Sequence, residues 1–256
     1  MITIKSQREI DTMTAAGRIV AETLALMAEH ARPGVSTERL DDLAEEFIRG
    51  HPGARPSFKG LYDFPKSLCI SINHEIVHGI PSRQRVLEEG DIVSVDCGVC
   101  LESLHADSAV TLAIGEIDED SRHLLRVTQD ALEAGIAQAL PEHHVGDIGH
   151  AVQTVAERGG LSVVRELVGH GIGTSFHEGP QIPNYGKPKR GPRLKVGMTI
   201  AIEPMLNLGG PDIRTLGDKW TVVTADRSRS AHFEHTVAIT EEGPRILTLA
   251  PAAVRG

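Results

Sequence analysis

The sequence is short of cysteine, aromatic residues, positive charge and long hydrophobic runs, and each shortage excludes a class of protein. Among its 256 residues only Cys69, Cys97 and Cys100 are cysteines. So small and odd a number builds no disulfide framework. Lys and Arg total 26 against 35 Asp and Glu, a net charge of −9. This acidic balance suits neither nucleic acid nor a membrane surface as partner. No apolar run approaches the roughly 20 residues of a membrane span, and the opening MITIKSQREI has no signal-peptide core. A soluble, cytoplasmic chain is expected, long enough to bury a sizeable core. Cys97-Gly-Val-Cys100 spells C-x-x-C, yet no helical pattern follows it as a redox dithiol requires, and a four-cysteine zinc site lacks its second pair. These cysteines are expected to be packing residues.

What the chain does have is carboxylates at the ends of apolar runs. In Gly90–Ala113, Asp96 closes one run and Asp107 opens the next, the pattern of a β-hairpin. The arrangement recurs: Gly197 leads to Glu203 as Gly90 leads to Asp96, and His232-Phe-Glu234 echoes His105-Ala-Asp107. On a period of two, Asp96 shares a face with Ser94, Asp107 with Ala109 and Thr111, Glu203 with Ala201 and Thr199, and Glu234 with Thr236 and Ala238. The opposite faces carry Val93, Val95, Val110, Leu112, Ile200, Ile202, Val237 and Ile239. Any one such acid is most simply a solvated strand end. Four on strands cleared of bulk invite a cation, because buried carboxylates without partners are costly.

The rest of the chain falls into two similar halves. Ser6-Gln-Arg-Glu9 is a capping box, followed by Ile10, Met13, Val20, Leu24 and Met27 at helical spacing and stopped by Pro33-Gly34. A second helix follows Ser36-Thr37, burying Leu40, Leu43, Phe47 and Ile48 and ending at Gly50; residues 51–66 form a loop and Ser67–Ile72 a strand. After Gly115 come a helix over Asp118–Leu140 with Leu125, Leu132 and Ile136 on one face, another over Val145–Arg158, and then strands. One α+β domain is expected over residues 1–256, with pseudo-repeats of about 1–115 and 116–256 and the four acids converging near their axis.

Of 13 histidines, His30, His51, His123, His143, His144 and His150 lie at helix ends or in polar helix or loop settings where solvation is the default. His74-Glu-Ile-Val-His78 spells the zinc-protease motif H-E-x-x-H, which needs a helix to bring both histidines to one face. Here it follows the strand-like CISIN and meets Gly79-Ile80-Pro81 at once, so that reading fails. Val168-Gly-His170-Gly-Ile-Gly173 differs, since glycines on both sides of His170 permit close backbone approach, and His177 follows seven residues on.

Taken together, SINHEIVHGIP, GDIVSVD, HAD, VGHGIGTSFHEGP, IAIEPM and FEHT resemble the type I methionine aminopeptidases of the pita-bread fold, over essentially the whole chain. The resemblance implies two divalent metal ions, Co, Mn, Fe or Zn, held by Asp96, Asp107, His170, Glu203 and Glu234. It implies that Glu203 also takes a proton from the attacking water, that His177 steadies the oxyanion, and that His78 contacts the substrate backbone. Phe58, Leu61, Phe64, Cys69, Phe176 and Trp220 stand where the family lines its methionine pocket. Phe58 and Leu61 replace a Cys and a Tyr frequent in bacterial relatives, and Gly98 a common Thr. The implied substrates are nascent chains with N-terminal Met and a small second residue, met near the ribosome; on that rule a chain opening Met1-Ile2 keeps its own methionine. A monomer is expected. Prolidases and aminopeptidase P share the five ligands but carry a further domain ahead of them, for which the residues before Asp96 leave no room. A catalytically dead relative would be expected to have lost ligands that are all present here.

Overall fold

The computed structural model describes residues 2–249. Met1, on which the expected methionine retention turns, and residues 250–256, which end the expected domain, lie outside the described residues.

Helix α1, Gln7–His30, starts from the expected capping box: Ser6 N donates to Glu9 Oε2 at 2.7 Å, and Glu9 N donates to Ser6 Oγ at 3.4 Å. Such a cap contributes about 1 kcal/mol. Its apolar stripe is buried as the spacing predicts. Helix α2, Thr37–Arg49, is capped by Ser36 and buries Leu40 and Ile48, but Leu43 and Phe47 lie on its flanks and are only half-buried. Helix α3, Glu119–Ala137, unwinds three residues before the expected Leu140, ahead of Pro141. Leu124 takes the buried place expected of Leu125, because the helix phase set by its Asp118 cap turns Leu125 to the flank. Helix α4 occupies Val145–Arg158 as expected. Within the 51–66 loop the structure adds a short edge strand, Ala54–Pro56, and a single 3₁₀ turn, Leu61–Asp63.

The helices cover one face of a nine-stranded sheet. Its centre runs Ile92–Leu101, Leu104–Ala113, Glu234–Thr240, Thr199–Ile202, so the hairpin of the first half meets the echo strands of the second, with Glu234 opposite Ala109. The order is a palindrome under exchange of halves, which gives the pseudo-two-fold arrangement of the acids. Glu102 and Ser103 turn the hairpin with φ of 48° and 66°, the left-handed pair of a tight two-residue loop.

Alternation sorts the two faces as expected. Val93 and Val95 pack with Leu24, Leu40 and Ile48 of α1 and α2. Ile200, Ile202, Val237 and Ile239 pack with Leu132, Ile136 and Ile148 of α3 and α4. Each such side chain buried contributes roughly 1.5–3 kcal/mol, and this fixes which way the intervening acids point. Two small sheets frame the acid-bearing face: Ser162–Val163 with Met205–Asn207 and Ser230–His232, and Glu75–Val77 with Val222–Thr224 and Ile213–Thr215. The second brings the His78 and Trp220 rings to 6.3 Å. All three cysteines are free and buried, and Cys97 packs among the residues of α1 and α2.

Candidate metal centre and substrate cavity

Asp96 sits in register between Cys69 and Ala109, Asp107 opposite Gly98, and Glu203 immediately after Thr199–Ile202. His170 is the middle residue of the strand Gly169–Gly171. A Cβ on Gly169 would lie 2.3 Å from the Ala201 carbonyl oxygen, and one on Gly171 2.1 Å from that of Gly179. The glycines beside His170 are thus required by close backbone packing. Ligand atoms of Asp107, His170 and Glu234 all lie within 4.8 Å of one another, and His170 Nε2 is 3.7 Å from Glu203 Oε1. His170 Nδ1 faces the Gly171 carbonyl at 2.9 Å. Donating its proton there leaves the Nε2 lone pair aimed at the acids, the tautomer a metal-binding imidazole needs.

The electrostatics call for positive charge. Asp96 Oδ1, Asp107 Oδ1 and Glu234 Oε1 are buried without a hydrogen-bond partner. Burial pushes Asp96 up to about 7, and it raises Asp107, Glu203 and Glu234 well above the usual carboxylate range, with repulsion from neighbouring carboxylates adding to the shift of these three. Burial, then the neighbouring His177, lowers His170 to about 4, so its imidazole is neutral at pH 7. Four hard carboxylates, one neutral imidazole and three orphaned oxygens fit divalent first-row metals, whose charge would reverse these shifts.

The five residues lie in one cavity of about 210 Å³, together with Phe58, Leu61, Phe64, Cys69, His78, Phe176, His177 and Trp220. Its wall is aromatic: Phe58 meets Phe176 edge-on at 5.3 Å, and Phe64 meets Trp220 at 5.0 Å. The His177 ring lies 4.4 Å from that of His170. Burial lowers both His177 and His78, the latter to about 4. An apolar recess thus ends at a cluster of carboxylates, flanked by two neutral imidazoles.

The model of metallopeptidase family M24 matches residues 11–241. The chain belongs to metallopeptidase family M24. It is 53% identical to the methionine aminopeptidase of Clostridium perfringens, over 97% of this chain and 99% of that protein. It is 52% identical to methionine aminopeptidase 1 of Bacillus subtilis, again over 97% and 99%. The crystal structure of methionine aminopeptidase from Rickettsia prowazekii superposes with a TM-score of 0.95 at 43% identity, covering 97% of this chain and 100% of that one. Prolidase from Pyrococcus furiosus shares the fold, with a TM-score of 0.78 at 22% identity over 97% of this chain and 66% of its own.

Like its relatives by fold, this M24 chain is an α+β pita bread, and its H-E-x-x-H motif contributes no residue to the carboxylate–imidazole cluster. His74 lies in the turn between Leu68–Ile72 and Glu75–Val77, so no helix pairs it with His78. Six cavity residues, Tyr62 and His232 among them, escaped the sequence reading. Tyr62, in the 3₁₀ turn with φ of 50°, stacks on His177 with ring centres 5.8 Å apart and planes 9° from parallel. Nothing in the irregular 51–66 stretch marks that turn. His232 is buried with Nε2 3.9 Å from Glu234 and 4.0 Å from Glu203 oxygens. Its signal was the echo itself, in which His232 precedes Glu234 as His105 precedes Asp107.

Proposed function

We infer that this metallopeptidase is a methionine aminopeptidase, removing Met from the N-terminus of peptides and nascent proteins whose second residue is small. The observation that carries the reading is the union of an apolar, aromatic-walled recess with a carboxylate–imidazole cluster whose buried oxygens have no partner of their own. Asp96, Asp107, His170, Glu203 and Glu234 would hold two divalent cations. Bound there, the metals would supply Lewis acidity, making a water nucleophilic at neutral pH and polarising the scissile carbonyl.

The remaining work falls to the chain. Phe64, Phe176 and Trp220 receive the methionine side chain, with Phe58, Leu61 and Cys69 completing the recess; an unbranched thioether adapts to such a surface and makes favourable sulfur–aromatic contacts. Glu203 accepts the proton of the attacking water and returns it to the amine that leaves as the C–N bond breaks. His177, a neutral donor, hydrogen-bonds the carbonyl oxygen as it gains negative charge, and His78 holds the backbone beside the scissile amide. Tyr62, stacked on His177 at the cavity, is assigned to the preference for a small second residue. Every group invoked belongs to one chain, so a monomer suffices. Among the described residues no helix is long and apolar enough to cross a membrane, and the substrates proposed are cytoplasmic chains emerging from ribosomes.

The test is a peptide pair. Protein supplied with Mn, Co, Fe or Zn should release free methionine from Met-Ala-Ser and not from Met-Leu-Ser. Equal release from both would refute the small-residue rule, and release from neither under any metal would refute the activity.

A further inference from the structure

The Glu of the H-E-x-x-H sequence has a place in the fold that its zinc-protease resemblance does not suggest. Glu75 Oε2 accepts a hydrogen bond from Ile72 N at 2.8 Å, and the same oxygen is paired with the Arg85 guanidinium. The other arm of Arg85 donates to the Ile80 carbonyl at 2.7 Å. Ile72 precedes the strand that leads into His78, and Ile80 lies two residues beyond it. One arginine therefore closes the chain on both sides of His78. The pair is shielded, with side chains 23% and 14% exposed.

The segment between needs such a closure. His78 has φ of 60°, a left-handed conformation that costs a residue with a Cβ roughly 1–3 kcal/mol and persists only where its surroundings impose it. Gly79 is pressed onto the neighbouring strand, its carbonyl accepting from Ile70 N at 2.8 Å, and a Cβ there would lie 2.1 Å from the Ile70 oxygen. Among the described residues no group hydrogen-bonds the His78 imidazole. Its direction into the cavity is set by the backbone and the nearby Trp220 ring, and Glu75 and Arg85 hold that backbone together with the Ile70 and Ser71 contacts of Gly79.

We propose that Glu75 and Arg85 are positioning residues for His78: their ion pair fixes the left-handed turn that presents the imidazole to the substrate. The inference rests on His78 contacting substrate, as proposed above. A shorter or looser tie leaves the metal cluster intact and misdirects one hydrogen bond, so the cost falls on substrate turnover and depends on His78 being present.

The experiment is a double-mutant cycle on kcat/KM for Met-Ala-Ser, with metal content and thermal unfolding measured alongside. Arg85→Met and Glu75→Gln should each lower kcat/KM about tenfold with metal content unchanged, the loss expected for one misplaced hydrogen bond near 1.4 kcal/mol. In the His78→Ala background the same substitutions should cost less than about twofold, because the group they position is gone. Arg85→Lys, which keeps the charge, should recover part of the loss. The full tenfold cost persisting in the His78→Ala background, or no cost in the parent, would overturn the proposal. A His78→Ala enzyme as active as the parent would instead remove the contact on which the proposal rests, while methionine release by the parent would still stand.

Discussion

Gly98→Thr is predicted to be harmful in this chain and nearly harmless once Phe58 is made Cys. A Cβ at position 98 would lie 3.0 Å from the Phe58 ring, 3.0 Å from the Phe176 ring and 2.9 Å from Ser57 Cβ. Phe58 rests on the bare backbone of Gly98. Forcing a Thr into this contact overpacks the wall, at about 1–3 kcal/mol. Phe58 and Phe176 are 6% exposed each, so a displaced ring has the substrate recess as its way out. If the whole cost falls on substrate binding, kcat/KM for Met-Ala-Ser drops roughly 5- to 150-fold, mostly through KM. Phe58→Cys alone leaves a void and should cost about 3 kcal/mol in urea unfolding. In that background Phe176 can relax into the vacated volume, and the Thr side chain fills part of it. The coupling energy between the two sites should then be about 1–3 kcal/mol in favour of the double variant, in unfolding and in kcat/KM alike. Costs that add to within about 0.5 kcal/mol would refute the argument that Phe58 occupies the place of the missing side chain.

Three further outcomes follow from the site and its supports. The metal-stripped protein should lose thermal stability as pH rises from about 7 to 8. Burial keeps Asp96 protonated up to about 7 and also raises Asp107, Glu203 and Glu234, so the folded chain holds carboxyl protons that the unfolded chain has released, and rising pH favours unfolding. Added divalent metal should abolish the decline; melting scans with and without chelator decide it, and a flat apo profile would contradict it. Lys5→Met should destabilise by about 3–5 kcal/mol, because it strands Glu178 from a 2.6 Å ion pair whose side chains are only 5% and 6% exposed; a urea titration showing less than about 1 kcal/mol would be the contrary result. His74→Ala should leave metal content and methionine release unchanged, since the residue lies outside the cavity, and loss of metal would revive the H-E-x-x-H reading.

The fold was legible wherever burial has a period. Alternation in Gly90–Ala113 and in its echo foretold both the faces and the acids, because one slip of register would have put Val93, Val95, Ile200 and Ile202 on the acid-bearing side. Ser6 and Ser36 marked helix starts because a cap is a local interaction, read within four residues. What escaped depends on distance. Tyr62 reaches His177 across 115 residues of sequence through a turn with no signature, and Arg85 finds Glu75 and Ile80 only after the loop has folded back. Leu125 gave way to Leu124 because a stripe of the right period does not fix its own phase. The site residues stood out for a different reason: a buried carboxylate without a partner is costly, so four on apolar strands mark a shared function more clearly than any one of them does.

Methionine release is proposed to depend on a metal centre built by these carboxylates. Its most direct test is a titration of metal-stripped protein with Mn, Co, Fe or Zn, following bound metal by calorimetry and free methionine from Met-Ala-Ser in the same samples, with Asp107→Ala in parallel. Activity should rise with bound metal in the parent, and the variant should show weakened metal binding and no release. Methionine release that persists in chelator, or an Asp107→Ala protein that binds metal and cleaves like the parent, would contradict it.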